Sequence, residues 1–152
     1  YFQFMPSTMK NYAIDYDKNS YIDLKNNNDA YASAANYLSQ IGWNDKLPCF
    51  YKINLLNDVP KKYLNVSAKK LHNKRKLKYF RKYISDEYIL DKKFDNLTTS
   101  LITPDKDIIP DAETLSPAYI VFDNYEIILK WNRSLRFSLA VCTLKDKLKN
   151  EL

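Results

Sequence analysis

Gln3-Phe4-Met5-Pro6-Ser7-Thr8 opens the chain, and twelve residues after Gln3 an acidic loop begins, Asp15-Tyr16-Asp17-Lys18-Asn19-Ser20-Tyr21-Ile22. The first stretch sets an amide, two large apolar groups, a proline and a hydroxyl side by side, a combination that suits one wall of a sugar-binding cleft. Pro6 falls in the first turn of a predicted helix over about residues 6–13, whose apolar members are Met9, Tyr12 and Ala13. A motif this dense at the first residue, with no initiator Met, leads us to expect that the sequence starts partway through a domain.

Outward from this stretch the polar loop runs from Asp15 to Asn28, with Asn28 or Asp29 expected to cap a second helix. Ala30, Ala34, Tyr37, Leu38 and Ile41 recur there at three- and four-residue spacing, and Gly42 ends the helix. Ala32, Ser33, Ala34 and Ala35 are small enough to let another element approach closely. Cys49–Leu56 has the aromatic and β-branched character of a strand. Ser67 to about Tyr83 reads as a basic helix with a ragged stripe of Leu71, Leu77, Phe80 and Tyr83. Between Phe94 and Pro117 three prolines interrupt short apolar pairs, which predicts two short strands of an irregular sheet. A strand over Ala118–Phe122 follows, then a helix capped by Asp123 or Asn124 and reaching Trp131, then a last helix from about Ser134 to Lys149.

The loop carries the first candidate chemistry. Asp15, Asp17 and Asn19 fall at positions 1, 3 and 5 of a calcium loop, Tyr21 offers a carbonyl at position 7, and Ile22 is the apolar residue of position 8. Alternating oxygen ligands are needed because Ca²⁺ takes six to eight of them while the backbone winds round the ion. Ser20 replaces the glycine of position 6, and Asn26 stands where a bidentate Glu closes the standard loop; Asp29 would close a longer one. On spacing alone, a calcium loop and a metal-free Asx-rich loop both remain open. Tyr125 and the run Trp131-Asn132-Arg133-Ser134, with Phe137, form a second group. They place an aromatic face beside amide, guanidinium and hydroxyl groups, which fits a carbohydrate site and equally a helix N-cap followed by core aromatics.

Composition bounds the rest. The 152 residues, 45% hydrophobic, suffice for one globular domain with a core. A single glycine leaves left-handed backbone positions to other residues, Asn first among them. The net charge of +6 is concentrated between Lys61 and Lys93, which fits either a solvated face or an anionic partner. No apolar run approaches the roughly 18 residues of a membrane span. Cys49 and Cys142 lack metal-ligand spacing and are expected to be isolated buried thiols rather than a disulfide. His72 sits in the basic run, reads as a surface residue, and does not support a Ser-His-Asp triad.

Taken together, the two ends resemble lytic murein transglycosylases of the membrane-bound B type. The resemblance rests on Gln3-Phe4-Met5-Pro6-Ser7-Thr8, Tyr12-Ala13-Ile14-Asp15, Ile22-Asp23-Leu24, and Asp29-Ala30 through Tyr37-Leu38 to Gly42-Trp43. The late run from Phe122-Asp123-Asn124-Tyr125 to Trp131-Asn132-Arg133-Ser134, with Ala140-Val141 and Leu144, completes it. Residues 1–45 and 117–148 carry the likeness, while 46–116 follow the order of elements only. It implies one partial domain over 1–152: a cleft wall and calcium-type loop in 1–45, a divergent segment in 46–116, and a strand and helices in 117–152. The implied fold is mainly α with a small irregular β portion (α+β), lysozyme-like and incomplete at its N-terminus.

Such enzymes cleave the β-1,4 bond between N-acetylmuramic acid and N-acetylglucosamine of peptidoglycan. The muramoyl C6 hydroxyl attacks its own anomeric carbon to leave a 1,6-anhydro product, with one glutamate acting first as acid and then as base. By position, the resemblance makes Gln3, Phe4 and Met5 line the glycan cleft, turns Tyr37 to the substrate, and gives the far wall to Trp131 and Asn132. It implies a structural Ca²⁺ held by Asp15, Asp17, Asn19, the carbonyl of Tyr21, and Asp29. The family's catalytic glutamate is expected upstream of residue 1, and Glu87, Glu113, Glu126 and Glu151 match no catalytic position. The chain alone is therefore expected to be inactive. Peptidoglycan glycan strands are the implied partner, with no nucleic acid, and the implied location of the full-length protein is periplasmic or outer-membrane-associated. The alternative is a non-catalytic peptidoglycan-binding protein; a nucleic-acid module using Lys69–Lys82 has no base-reading motif behind it.

Overall fold

The computed structural model describes residues 4–105 and 115–151, and within them the chain forms two compact units, Tyr1–Asn44 and Asp45–Leu152. The first unit is a helix pair. Helix α1 spans Pro6–Tyr12, with the proline ring at its first position where no N–H is required. Helix α2 spans Asn27–Gln40, and its cap is Asn26, whose side chain accepts the Asn28 N–H. Asn28 and Asp29 lie inside the first turn instead, because the Asp29 carboxylate is drawn away by the loop, as described below.

Ala30, Ser33 and Ala34 are buried on the inner face of α2. Their small side chains let the loop backbone come close enough for Ile14 N–H to reach Ser33 Oγ at 3.0 Å, while Asn36 Nδ2 donates to Tyr12 C=O at 2.8 Å. The helix ends in a Schellman arrangement: Trp43 N–H bonds Leu38 C=O and Gly42 N–H bonds Ser39 C=O, with Gly42 at φ 107°. A side chain at that φ would crowd the backbone, so the one glycine stands where it is needed.

The second unit is built on a sheet of five strands among the described residues: β1 (Phe50–Ile53), β2 (Leu64–Asn65), β3 (Arg75–Lys76), β4 (Thr98–Ile102) and β5 (Ala118–Val121). The order is β1-β5-β4-β2, with β3 paired to β4. Phe50 faces Val121, and Leu101 faces Ile120, both in antiparallel pairs; β2 runs parallel to β4 with Leu64 opposite Leu101. Ile53, Leu77, Phe80, Leu101, Ile120 and Phe122 pack into one hydrophobic cluster below it.

The segment from Ser67 to Tyr83 is not the expected basic helix. A loop leads into β3, one turn of helix α3 (Leu77–Phe80) and a 3₁₀ turn over Arg81–Tyr83. Tertiary hydrogen bonds override the local preference. Buried Asn65 takes His72 N–H at its Oδ1 and donates to Leu101 C=O, folding the loop back on β2. Leu77 N–H then bonds Leu97 C=O, so the backbone of this stretch is partnered by β4 and its approach. The ragged stripe Leu71, Leu77, Phe80 and Tyr83 is buried all the same.

Of the two strands expected between Phe94 and Pro117, β4 is one; Ile108 and Ile109 lie outside the described residues. Helix α4 (Asp123–Trp131) is capped by Phe122 without a side-chain bond, because Asn124 is buried and donates to Leu47 C=O at 2.9 Å. Helix α5 spans Leu135–Glu151, and the buried Tyr125 hydroxyl ties α4 to it through Leu135 C=O at 2.7 Å. Burial pushes the pKa of that hydroxyl well up, so it serves as a donor.

The two cysteines are not free thiols. Cys49, just before β1, and Cys142, in α5, form a disulfide with their Cα atoms 6.0 Å apart. Spacing in sequence gave no hint of the pair, since 93 residues separate them and only the fold brings α5 over the start of β1. In the chain-entropy picture a loop of that length makes the bond worth about 4–5 kcal/mol. Denaturation of the Cys49→Ser/Cys142→Ser variant, against the oxidised protein, should show that loss; equal midpoints would contradict a formed bond.

Candidate functional site

The acidic loop is organised around its carboxylates. Asp15 accepts Asn19 N–H at Oδ1 and Ser20 N–H at Oδ2, at 3.2 and 2.7 Å, while Asp17 Oδ1 also accepts Asn19 N–H. Asn19 Oδ1 accepts Tyr21 N–H at 2.8 Å. These are successive Asx turns, and they wind the backbone into a ring. The winding forces Lys18 and Ser20 to φ 59° and 70°, a left-handed conformation that costs a residue with a Cβ about 1 kcal/mol. Ser20 thus adopts the turn for which a calcium loop ordinarily uses glycine.

Asp29 closes the ring from α2. It is fully buried, and its two oxygens accept Tyr16 N–H at 2.8 Å and Asp23 N–H at 2.9 Å. The Asp23 and Tyr16 N–H groups hold its carboxyl below the usual range, against the opposing effect of burial. One oxygen each from Asp15, Asp17 and Asp29 lies within 4.8 Å of the others. Two oxygens on opposite sides of one Ca²⁺ stand about 5 Å apart, so this spacing fits ligands of a single ion. With the Asn19 amide oxygen and the Tyr21 carbonyl, the donor set is all oxygen, as a hard cation requires.

The residues assigned to glycan contact sit in both units. Gln3 lies outside the described residues. Met5 is 68% exposed, which for a large thioether side chain beside a helix start is an unsatisfied apolar surface. Phe4 meets Tyr37 edge-on at 6.4 Å, and Tyr37 meets Tyr12 at 5.0 Å; burial and the neighbouring Tyr12 raise the Tyr37 hydroxyl pKa. In the second unit, Trp131 ends α4 half-buried and Asn132 is its exposed C-cap, with Asn132 N–H bonded to Ile128 C=O. Ser134 Oγ accepts Phe137 N–H at the start of α5, so part of this run is a helix start.

Among the described residues no glutamate is buried. Glu87 pairs with Arg81, Glu126 with Lys74, and Glu151 is exposed near the end of α5; Glu113 lies outside the described residues. The part of the loop that residue spacing alone did not find is the backbone strain at Lys18, a position with no glycine or asparagine to announce it.

Comparison with known proteins places this geometry. A family model described as the transglycosylase SLT domain matches residues 1–146. The chain belongs to that family. Among solved structures, SltB3 of Pseudomonas aeruginosa in complex with NAG-anhNAM-pentapeptide superposes with a TM-score of 0.80 at 28% identity. It covers 97% of this chain and 37% of its own length. SltB1 of the same organism gives 0.72 at 20% identity, over 98% of this chain and 46% of its own. Escherichia coli Slt35 in complex with calcium gives 0.66 at 22%, over 93% and 41%. The chain thus spans less than half the length of each of these proteins. No curated protein matches it. The lysozyme-like lytic transglycosylase fold expected from the sequence, mainly helical with a small sheet, is the fold observed.

Two outcomes test the SLT-domain loop. Ser20→Gly should stabilise the protein by up to about 1 kcal/mol by removing the left-handed penalty, read by chemical denaturation. The lowered Asp29 pKa means its stabilisation is in place above the ordinary carboxylate range near pH 4. It is lost as pH falls through the depressed folded value. Melting temperature followed from pH 7 to pH 2 should fall more steeply below about pH 4 in wild type than in Asp29→Asn.

Proposed function

We propose that this chain holds peptidoglycan glycan strands as part of a lytic transglycosylase of the membrane-bound B type. The reaction it serves is cleavage of the β-1,4 bond between N-acetylmuramic acid and N-acetylglucosamine to a 1,6-anhydro-muramoyl product. The observation that carries this reading is the likeness to SltB3 at 28% identity, in a structure holding NAG-anhNAM-pentapeptide. The family match over residues 1–146 supports it.

In this reading Gln3, Phe4, Met5 and Tyr37 of the first unit, and Trp131 and Asn132 of the second, contact the glycan. Sugar rings present apolar faces to aromatic and thioether groups and hydroxyls to amides, which accounts for the residue types. Tyr37, braced edge-on by Phe4 and Tyr12, offers a side chain already fixed in place, so little rotamer freedom is lost on binding. Proton transfer at the scissile bond falls to none of Glu87, Glu126 and Glu151, two of which are spent in ion pairs. The chain alone then binds strands without cutting them.

Asp15, Asp17, Asn19, the Tyr21 carbonyl and Asp29 are assigned a structural Ca²⁺. Slt35, of the same fold, is described in complex with calcium, and the oxygen spacing in this loop suits the ion. Bound there, the cation would offset two of the three negative charges of the clustered carboxylates and brace the segment between α1 and α2. A periplasmic location suits the Cys49–Cys142 disulfide, since such bonds persist in oxidising compartments. Among the described residues no helix is long and apolar enough to cross a membrane.

Retention on purified sacculi tests the glycan assignment. Tyr37→Ala or Trp131→Ala should weaken retention about tenfold, the loss expected of one stacking side chain; unchanged retention in both would remove these residues from the site. Muropeptide analysis after incubation with the chain alone should show no 1,6-anhydro product, and clear release would overturn the assignment of the glutamates. At a hundredfold excess over its Kd, Ca²⁺ should add about 2.7 kcal/mol of stability, a shift that Asp17→Ala should abolish. A melt insensitive to Ca²⁺ would sink the metal assignment.

A further inference from the structure

The net positive charge of this chain comes from one segment. Between Lys61 and Lys93 there are twelve Lys and Arg against three Asp and Glu, while the remainder carries twelve against fifteen. The basic segment is therefore the sole source of the net positive charge. Some of its cations are answered locally: Arg81 pairs with Asp95 and Glu87, Lys93 with Asp91, and Lys74 with Glu126. Three others are arranged differently.

Tyr63, Tyr79 and Tyr83 form a ladder of edge-on rings, 5.6 Å from Tyr63 to Tyr79 and 6.2 Å from Tyr79 to Tyr83, with the Tyr63 and Tyr79 hydroxyls 2.9 Å apart. Three exposed cations lie on it. Lys62 Nζ is 5.2 Å from the Tyr63 ring, the Arg75 guanidinium 5.7 and 5.8 Å from Tyr63 and Tyr79, and Lys82 Nζ 4.8 Å from both Tyr79 and Tyr83. None of the three has a carboxylate partner among the described residues. A bond to the Tyr83 side chain holds the Lys82 ammonium above the usual lysine range, against burial, so its charge is secure.

Side chains of this kind ordinarily sample many rotamers, and fixing them on binding costs conformational entropy. Here cation–π contact with a ladder whose Tyr63 and Tyr83 are buried has already restricted them. Three like charges are thus held close together on a rigid floor with no internal counter-ion. That is a surface prepared for an anion carrying more than one charge.

We propose that Lys62, Arg75 and Lys82, seated on the Tyr63–Tyr79–Tyr83 ladder, bind the carboxylates of peptidoglycan peptide stems. The inference rests on the glycan-binding function proposed above. The glycan backbone gives these cations nothing to pair with: N-acetylglucosamine is neutral, and the muramoyl lactyl carboxyl is consumed in the amide to the peptide. The stems carry the negative charge of the same polymer, and each free stem ends in a carboxylate. A platform for stems would make attachment selective for strands that still carry them.

The test compares intact sacculi with glycan strands stripped of peptide by an amidase and then amidated at the freed lactyl carboxyl, so that they carry no carboxylate, using wild type, Lys62→Gln/Arg75→Gln/Lys82→Gln, and a milder Lys62→Gln/Lys82→Gln. Thermal melts confirm that each variant is folded, and the double variant leaves the Arg75 contact to the ladder in place. Wild type should hold intact sacculi about tenfold more tightly than the triple variant does, with the difference fading as salt rises. On stripped strands the proteins should bind alike. Equal retention of wild type and both variants on intact sacculi overturns the inference while leaving the glycan reading standing. Failure of wild type to bind stripped strands overturns the glycan reading instead. An equal loss for the variants on stripped strands, or stronger retention of wild type on DNA than on sacculi, assigns the platform to another anion and overturns the inference too.

Discussion

A carboxylate removed from water must have its lone pairs answered or it will not stay ionised, and Asp29 sets that condition for the first unit. Fully buried in the first turn of α2, it collects Tyr16 N–H on one oxygen and Asp23 N–H on the other. Those two donors lie at either end of the acidic ring, so one side chain fixes both the entry and the exit of the loop. Everything between them inherits its shape. Asp15, Asp17 and Asn19 can turn inward because the ends are held, and Ser33 and Asn36 secure the chain leaving α1 on the same helix face. An alanine at position 29 would take the acceptor from two part-buried backbone donors at once and release both ends of the loop.

The second unit solves a different problem. Its strands are short, from two to five residues, so no ladder is long enough to define the sheet alone. Side chains reach across instead. Asn65 joins β2, the basic loop and β4 by its amide. Half-buried Arg81 joins Asp95 to the Leu90 and Glu87 carbonyls. The disulfide fastens α5 to the start of β1. Each of these is a polar or covalent tie at the border of an apolar cluster rather than part of it. With many aromatic rings meeting edge-on, the cluster is filled by a few large residues, and the ties decide which arrangement of them is taken.

What could be read from the residues follows from the range of the interaction involved. α2 and α5 were legible because their stripes are local, and β5 because its apolar run has little choice of state. The convergence of Asp15 and Asp17 was legible because alternate positions of one short segment face one point. Spacing failed between Ser67 and Tyr83, where a stripe of roughly helical period was buried by a loop, a two-residue strand and two turns. Asn65, far off in sequence, made the difference there, and no local pattern announces it. The disulfide was misjudged for the same reason. The cap residues of α2 and α4 were displaced by a few positions because Asp29 and Asn124 spend their side chains on Tyr16, Asp23 and Leu47, which propensity cannot weigh.

Scarcity of glycine sharpens the meaning of the strained positions. With a single glycine, spent at the end of α2, left-handed backbone elsewhere falls to Lys18, Ser20 and Asn73. Asn is the residue expected to take such positions, yet only one of the three is Asn. Two of the three lie in the acidic ring, next to carboxylates that accept the very N–H groups the turn points inward. The ring is thus held in shape by hydrogen bonds against two costs, backbone strain and the mutual repulsion of carboxylates whose oxygens approach within 4.8 Å. Repulsion of that kind is removed by a cation and by little else at neutral pH, since protonating Asp29 would break the bonds that close the ring. A glycine at position 20 would relieve the strain and an amide at position 17 part of the repulsion, whereas the cation proposed above would offset the repulsion with the residues as they stand.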